Sequence, residues 1–286
     1  MTRRTFAATL AVPSLLPAAL KSKLKFGLTS YQWGAQWDIP AFIANCTQAG
    51  AFGVELRTSA KYKHGVELDI TPERRREVKK MFADSPVKLI GVNSAEKFDS
   101  PDPAVLRRAI EAAKAHVVLA HDVGATGIRV FPNAFQKGVP EEVTLAQIAK
   151  SVHEVGVFAR EHGQRVRLEA HGPVGTLPNL KRIMDQVESR SVGVKLNGDV
   201  RDNEGGKFAE NFALVKDRLG DTLHWRVMDG NAFPYPLQWE LLIRAGWEGW
   251  CMVEESVKVP DIVKALTDLH ASWDQTVAKS LAAASV

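Results

Sequence analysis

Side chains able to hold a hydroxylated ligand or move a proton recur at every second position in four short segments of the later chain. They are Arg167, Glu169 and His171, then Lys195 and Asn197, then His224, Arg226 and Met228, then Met252 and Glu254. Residues two apart share one face of an extended strand. The opposite parity is apolar except at Trp225, Asp229 and Glu255. Burying so many polar groups costs free energy unless they pair or bind something. Two readings follow: a satisfied internal ion-pair network, or a polar substrate pocket. Earlier segments add Glu55, Asn93 and Arg129 to the same inward set. Trp33, Trp37 and Phe131 supply faces of the kind that stack on sugars, although aromatic residues serve as often in plain packing. His64 and His171 are further candidates.

Positioning such a set requires strands that share an end. Candidate strands lie at 24–30, 53–57, 88–95, 127–133, 165–171, 191–197, 223–229 and 249–256. Between them run segments with helical periodicity, such as 104–124 (Val105, Ile110, Val117, Val118, Val123) and 145–163 (Ile148, Val152, Val155, Phe158). A last helix runs from 259 to about 281. Strand and helix alternating eight times predict parallel strands with crossover helices, closed as an α/β, single-domain (β/α)8 TIM barrel over 23–286. No Gly-x-Gly-x-x-Gly or Walker loop follows a strand, which removes the main support for an open doubly wound sheet. In such barrels the site forms at the C-terminal strand ends.

At these residues the chain resembles the sugar phosphate isomerase/epimerase superfamily of xylose isomerase-like TIM barrels. The matching stretches are Gly53-Val54-Glu55-Leu56, Ala120-His121-Asp122-Val123-Gly124-Ala125, Arg167-Leu168-Glu169-Ala170-His171, and Ala245-Gly246-Trp247-Glu248-Gly249-Trp250 leading into Val253-Glu254. The resemblance implies a divalent metal (Mn, Mg, Co or Zn) held by a Glu, an Asp, a His and a Glu on strands five to eight. It also implies that the two glutamates act as acid and base. Glu169 and Glu254 match those positions, the Asp falls on Asn197, and the His, three residues before an Asp, falls on Arg226 ahead of Asp229. An amide oxygen can still coordinate a hard cation weakly, whereas a guanidinium has no lone pair to give. The expected metal ligands are therefore Glu169, Asn197 and Glu254, in a degenerate site. His224, one inward step deeper, reads as a core histidine. Without a cation the two glutamates should repel and one pKa should rise. Lys195 and Arg226 are expected to supply the missing positive charge and stabilise an enediolate.

The resemblance implies an isomerase or epimerase that transfers a proton next to the carbonyl of a free or modified sugar. Glu169 and Glu254 are then catalytic, and Glu55, Asn93, His171, Lys195 and Arg226 bind substrate. The alternatives are a non-catalytic sugar-binding barrel that lost its metal, and a lyase or hydratase on oxidised glycosides.

Composition excludes other classes. With 45% hydrophobic and 24% charged residues the 286-residue chain is neither disordered nor fibrous. Its +4 charge falls to +2 once Arg3 and Arg4 are set aside, and the densest basic run, Arg74-Arg75-Arg76 with Lys79-Lys80, is flanked by Glu73 and Glu77. A solvated helix face, not a nucleic-acid partner, is expected. Cys46 and Cys251 are read as buried packing residues. The Thr2-Arg3-Arg4-Thr5-Phe6 string precedes an apolar run, 7–20, broken by Pro13 and Pro17. Residues 1–22 therefore read as a twin-arginine signal peptide rather than a stable membrane anchor, with a periplasmic or secreted protein as the consequence. The expected partner is a small-molecule sugar, and a homo-oligomer is compatible with the sequence.

Overall fold

β-Branched segments alternate with amphipathic ones, and each pair folds as one strand and one helix. In the computed structural model, which describes residues 20–58, 61–228, 230 and 232–286, the order is as follows. β1 (Lys23–Thr29), α1 (Ile39–Ala49), β2 (Gly53–Arg57), α2 (Pro72–Ala83), β3 (Lys88–Lys97), α3 (Pro103–Val123), β4 (Gly127–Phe131) and α4 (Glu141–Glu161) form the first half. β5 (Arg165–Glu169), α5 (Leu177–Met184), β6 (Val192–Lys195), α6 (Phe208–Val215), β7 (Thr222–Trp225), α7 (Tyr235–Arg244), β8 (Glu248–Val253) and α8 (Ile262–Ala284) complete it. Asp38, Asp102 and Asp261 cap α1, α3 and α8 by accepting first-turn N–H groups, which would otherwise lack partners.

All ladders are parallel, in the order β6-β5-β4-β3-β2-β1-β8-β7. The β6–β7 seam is joined by Gly220 N–H to the Val194 carbonyl (2.8 Å) and His224 N–H to the Leu196 carbonyl (2.9 Å). The eight-stranded TIM barrel thus stands as expected. Val54, Leu56, Val92, Ile128, Val130, Val166, Leu168, Val194 and Leu223 on the outer parity are buried in the core under the helices. The inner parity holds Glu55, Asn93, Arg129, Arg167, Glu169, Lys195 and His224, all buried, where barrels of this kind usually place branched aliphatic residues.

Six strands end earlier than expected, at Thr29, Phe131, Glu169, Lys195, Trp225 and Val253. Gly172 has φ +70°, and a Cβ there would lie 2.3 Å from the Asn133 carbonyl oxygen, so the chain turns away directly after β5. His171, Asn197 and Arg226 consequently sit on loops at the strand ends. Met228, expected to face inward, is 40% exposed. Glu255, expected in a wet loop, is fully buried and accepts the N–H groups of Val227 (2.7 Å) and Met228 (2.9 Å). Both cysteines are buried free thiols. No helix among the described residues is long and apolar enough to cross a membrane. The leader expected over 1–22 lies outside the described residues except for 20–22, as does Asp229.

Candidate active site at the barrel mouth

The polar interior divides into two levels. In the lower one, Lys195 Nζ donates to both oxygens of Glu55 (2.6 and 2.7 Å) and to Thr222 Oγ1 (2.9 Å). Asn93 Nδ2 donates to Glu55 Oε2 (3.1 Å) and Thr29 Oγ1 (3.3 Å). Arg167 crosses the barrel to grip Asp221 through two donors (2.8 and 3.1 Å), Thr126 Oγ1 (2.8 Å) and the Ile90 carbonyl (3.1 Å). Gly91 leaves room for it, since a Cβ there would stand 3.1 Å from Arg167 Nη1. Burial raises the Glu55 carboxyl pKa, but the Lys195 and His224 charges hold it well below the ordinary range. Burial lowers the Lys195 pKa, with Glu55 opposing. Glu55, Asn93 and Lys195, expected to touch substrate, therefore lie beneath the cavity. There Lys195 and Glu55 satisfy one another, and Asn93 spends its Nδ2 on Glu55 and Thr29 while its buried Oδ1 has no partner among the described residues.

Above them a cavity of about 400 Å³ opens at the C-terminal strand ends, within the usual size of small-molecule sites. Its wall includes Tyr31, Arg57, Arg129, Phe131, Glu169, His171, Asn197, Asp199, Arg226 and Glu254. Behind the two glutamates lies His224, fully buried. Its Nε2 meets Glu55 Oε2 at 2.9 Å, and its Nδ1 is 3.3 Å from both Glu169 Oε2 and Glu254 Oε2. Arg129 Nη1 donates to Glu169 Oε2 at 3.1 Å while its guanidinium lies over Phe131.

His224, not Arg226, thus faces the two glutamates. β7 stops at Trp225, so Arg226 falls on the loop, where its N–H donates to Tyr235 Oη (3.1 Å). Mutual repulsion is outweighed, and neither glutamate pKa is raised overall. Burial raises Glu169, but the charges of Arg129 and His224 take it below its usual range, and Glu254 is lowered by His224 against the same burial. Burial lowers His224, but Glu254 and Glu169 outweigh it and push the imidazole up to about 10.

The arrangement suits a divalent cation. One oxygen from each glutamate and one His224 nitrogen lie within 4.8 Å of one another. Among the described residues, His224 Nδ1 and the cavity-lining Asn197 Oδ1 are buried without a hydrogen-bond partner. A separation of about 3.3 Å matches two ligands each about 2.1 Å from one ion at a tetrahedral angle. The Glu55–His224 contact is the carboxylate–histidine pairing that fixes a ligating imidazole's tautomer.

A family model described as "Xylose isomerase-like TIM barrel" matches residues 43–278. The chain belongs to the xylose isomerase-like TIM barrel family. Solved structures with this barrel include an L-ribulose 3-epimerase at 15% identity and TM-score 0.75, covering 90% of this chain and 95% of that one. A 3-keto-D-glucoside 4-epimerase from E. coli has 14% identity and TM-score 0.74, covering 88% and 100%. The IolI protein with a binding zinc atom has 15% identity and TM-score 0.70, covering 90% and 98%. Similarity this remote speaks for the fold. No curated protein matches the chain significantly.

Within this xylose isomerase-like barrel, His171 and Arg226 reach the cavity as expected, and His171 packs on Phe131 with ring centroids 4.4 Å apart. Trp33 is 2% exposed and donates to the Val257 carbonyl (2.8 Å), Trp37 packs on Phe42, and neither lines the cavity. His64 is buried, with Nε2 at 3.0 Å from the Arg57 carbonyl and Nδ1 accepting Val66 N–H (3.0 Å). Burial lowers its pKa to about 4. Tyr31, Arg57 and Asp199 are cavity residues that the sequence reading missed. Strand parity carried the signal for two of them, because Arg57 continues Glu55 and Tyr31 continues Gly27 and Thr29.

Proposed function

We propose that the protein is a sugar isomerase or epimerase that moves a proton next to a carbonyl. The observation that carries this reading is the pair of carboxylates, Glu169 and Glu254, each 3.3 Å from the same imidazole nitrogen in the wall of a cavity of about 400 Å³. Arg129 and His224 keep both glutamates ionised and ready to accept a proton. One carboxylate takes the proton from the carbon beside the carbonyl. The C–H electron pair becomes the C=C bond of an enediolate, and the former carbonyl oxygen carries the charge. The other carboxylate, having taken a proton from solvent, returns it to the opposite face to give an epimer while the first releases its proton to solvent. Return of the first proton to the adjacent carbon, with the hydroxyl proton moving between the two enediolate oxygens, gives an isomer. Glu169, His224 and Glu254, with Asn197 Oδ1 as a further donor, would hold a divalent cation that polarises the carbonyl when bound. Lys195 is committed to Glu55 and takes no part in holding the enediolate, which leaves that role to groups on the wall. Sugar epimerases among the structures sharing this barrel support the reading.

The test is proton exchange from solvent. Ketohexoses and their uronate and 6-phosphate counterparts are incubated in D2O with the purified protein, chelated and then reloaded with Mn²⁺, Mg²⁺, Co²⁺ or Zn²⁺, and at least one should gain deuterium beside the carbonyl by NMR. Glu169→Gln and Glu254→Gln should abolish the gain. Absence of exchange with every sugar and metal, while sugars still bind, would favour a sugar-binding barrel.

A further inference from the structure

Arg57 closes β2 on the inner parity and enters the cavity wall two residues beyond Glu55. Its backbone is pinned on both sides, by its N–H donating to Ser30 Oγ (2.8 Å) and by His64 Nε2 against its carbonyl (3.0 Å). Its guanidinium lies over the Tyr31 ring, 4.5 Å from the centroid. The ion-pair neighbour, Glu254 Oε1, is 3.7 Å from Nη1, beyond hydrogen-bonding distance. Among the described residues the Arg57 side chain therefore makes no hydrogen bond, although its position is set by stacking and by two backbone anchors.

The carboxylates of the wall are already served. Glu169 has Arg129 at 3.1 Å and shares His224 with Glu254, and Asp199 pairs with Arg201. Arg57 thus brings a permanent positive charge and unspent planar donors to the cavity, held rigid before any ligand arrives. A neutral hydroxyl would use one donor and leave the charge facing only Glu254 at 3.7 Å, whereas an oxyanion can take two donors and the charge together.

We propose that Arg57 forms an anion subsite, so that the sugar this cavity takes carries an oxyanion, a carboxylate or a phosphate, seated against the Arg57 guanidinium. This rests on the isomerase or epimerase reading of the same cavity and names its substrate class as an acidic rather than a neutral sugar.

Isothermal titration of the purified protein with D-fructose, D-fructuronate and D-fructose 6-phosphate tests it. One of the two anions should bind at least about tenfold more tightly than D-fructose, as expected for a hydrogen bond to a charged group. Whichever gains identifies the oxyanion. Arg57→Met should bring that anion down to the level of D-fructose, and Arg57→Lys should restore part of the preference, showing that the loss is not misfolding. Equal affinity for all three sugars, binding of neither anion, or an equal loss for all three in Arg57→Met would overturn the subsite. The last result is what a residue that only orients Glu254 would give. Arg57-dependent anion binding without deuterium exchange would defeat the catalytic reading and leave the subsite. Turnover of D-fructose faster than of either anion would do the reverse.

Discussion

The lower and upper levels of the barrel interior are built from the same residue types on the same strand parity, yet they end in opposite states. Below, Lys195 with Glu55 and Arg167 with Asp221 pair their charges at 2.6–3.1 Å, and Asn93 donates to Glu55 although its Oδ1 has no partner among the described residues. Above, His224 Nδ1 and Asn197 Oδ1 have no hydrogen-bond partner among the described residues, and Glu169 and Glu254 converge on one nitrogen. Paired charges stabilise the fold they span, while convergent carboxylates around an unpartnered imidazole nitrogen suit a cation or polar ligand. The ion-pair reading of the polar parity describes the lower level, and the proposed pocket belongs to the upper. His224 joins the levels, with Nε2 on Glu55 below and Nδ1 toward the glutamates above.

The largest effect expected from breaking the upper level is on chemistry. Glu169→Gln or Glu254→Gln should slow deuterium exchange by about 10²–10⁴-fold, since general acid–base catalysis is of that size. The melting temperature should stay near that of the parent for Glu254→Gln and fall for Glu169→Gln, which leaves buried Arg129 without its counter-charge. Breaking the lower level should instead unfold the protein. Lys195→Met strands the Glu55 charge in the interior, and denaturant titration should show a loss of about 3–5 kcal/mol, partly recovered when Glu55→Gln is added. A change at the join should reach both levels, because Glu55 holds His224 above and is the counter-charge of buried Lys195 below, so stability should fall as well. Glu55→Gln alone should weaken metal binding, read by calorimetry, by about 10–100-fold through the loosened imidazole.

The smallest effect contrasts two histidines. His64, packed rather than charge-paired, has its pKa lowered to about 4 from 6.5. The unfolded chain then binds the proton first as pH falls, so His64 contributes stability that is present above pH 6.5 and is lost as pH falls toward 4. His64→Gln should flatten that part of the stability–pH curve, and an unchanged slope would show that other groups set it.

Strand alternation in the sequence was enough for the barrel and for the inward set, because a period of two is a local property of the chain. It placed Glu169, Glu254, Asn197, His171 and Arg226 at the mouth, and continued through Glu55 and Gly27 it reaches Arg57 and Tyr31. Depth was not legible. Family spacing put Arg226 level with the glutamates, whereas β7 ends one residue before it and His224 takes that height. Nor did parity tell Lys195, 140 residues from Glu55, that it would be neutralised below the cavity rather than exposed within it. Which inward residue meets which across a barrel depends on strand stagger and tilt, quantities set only when the sheet closes on itself. The sequence by itself determined the barrel and its polar lining. The closed tertiary structure decided which polar residues satisfy one another and which are left for a ligand.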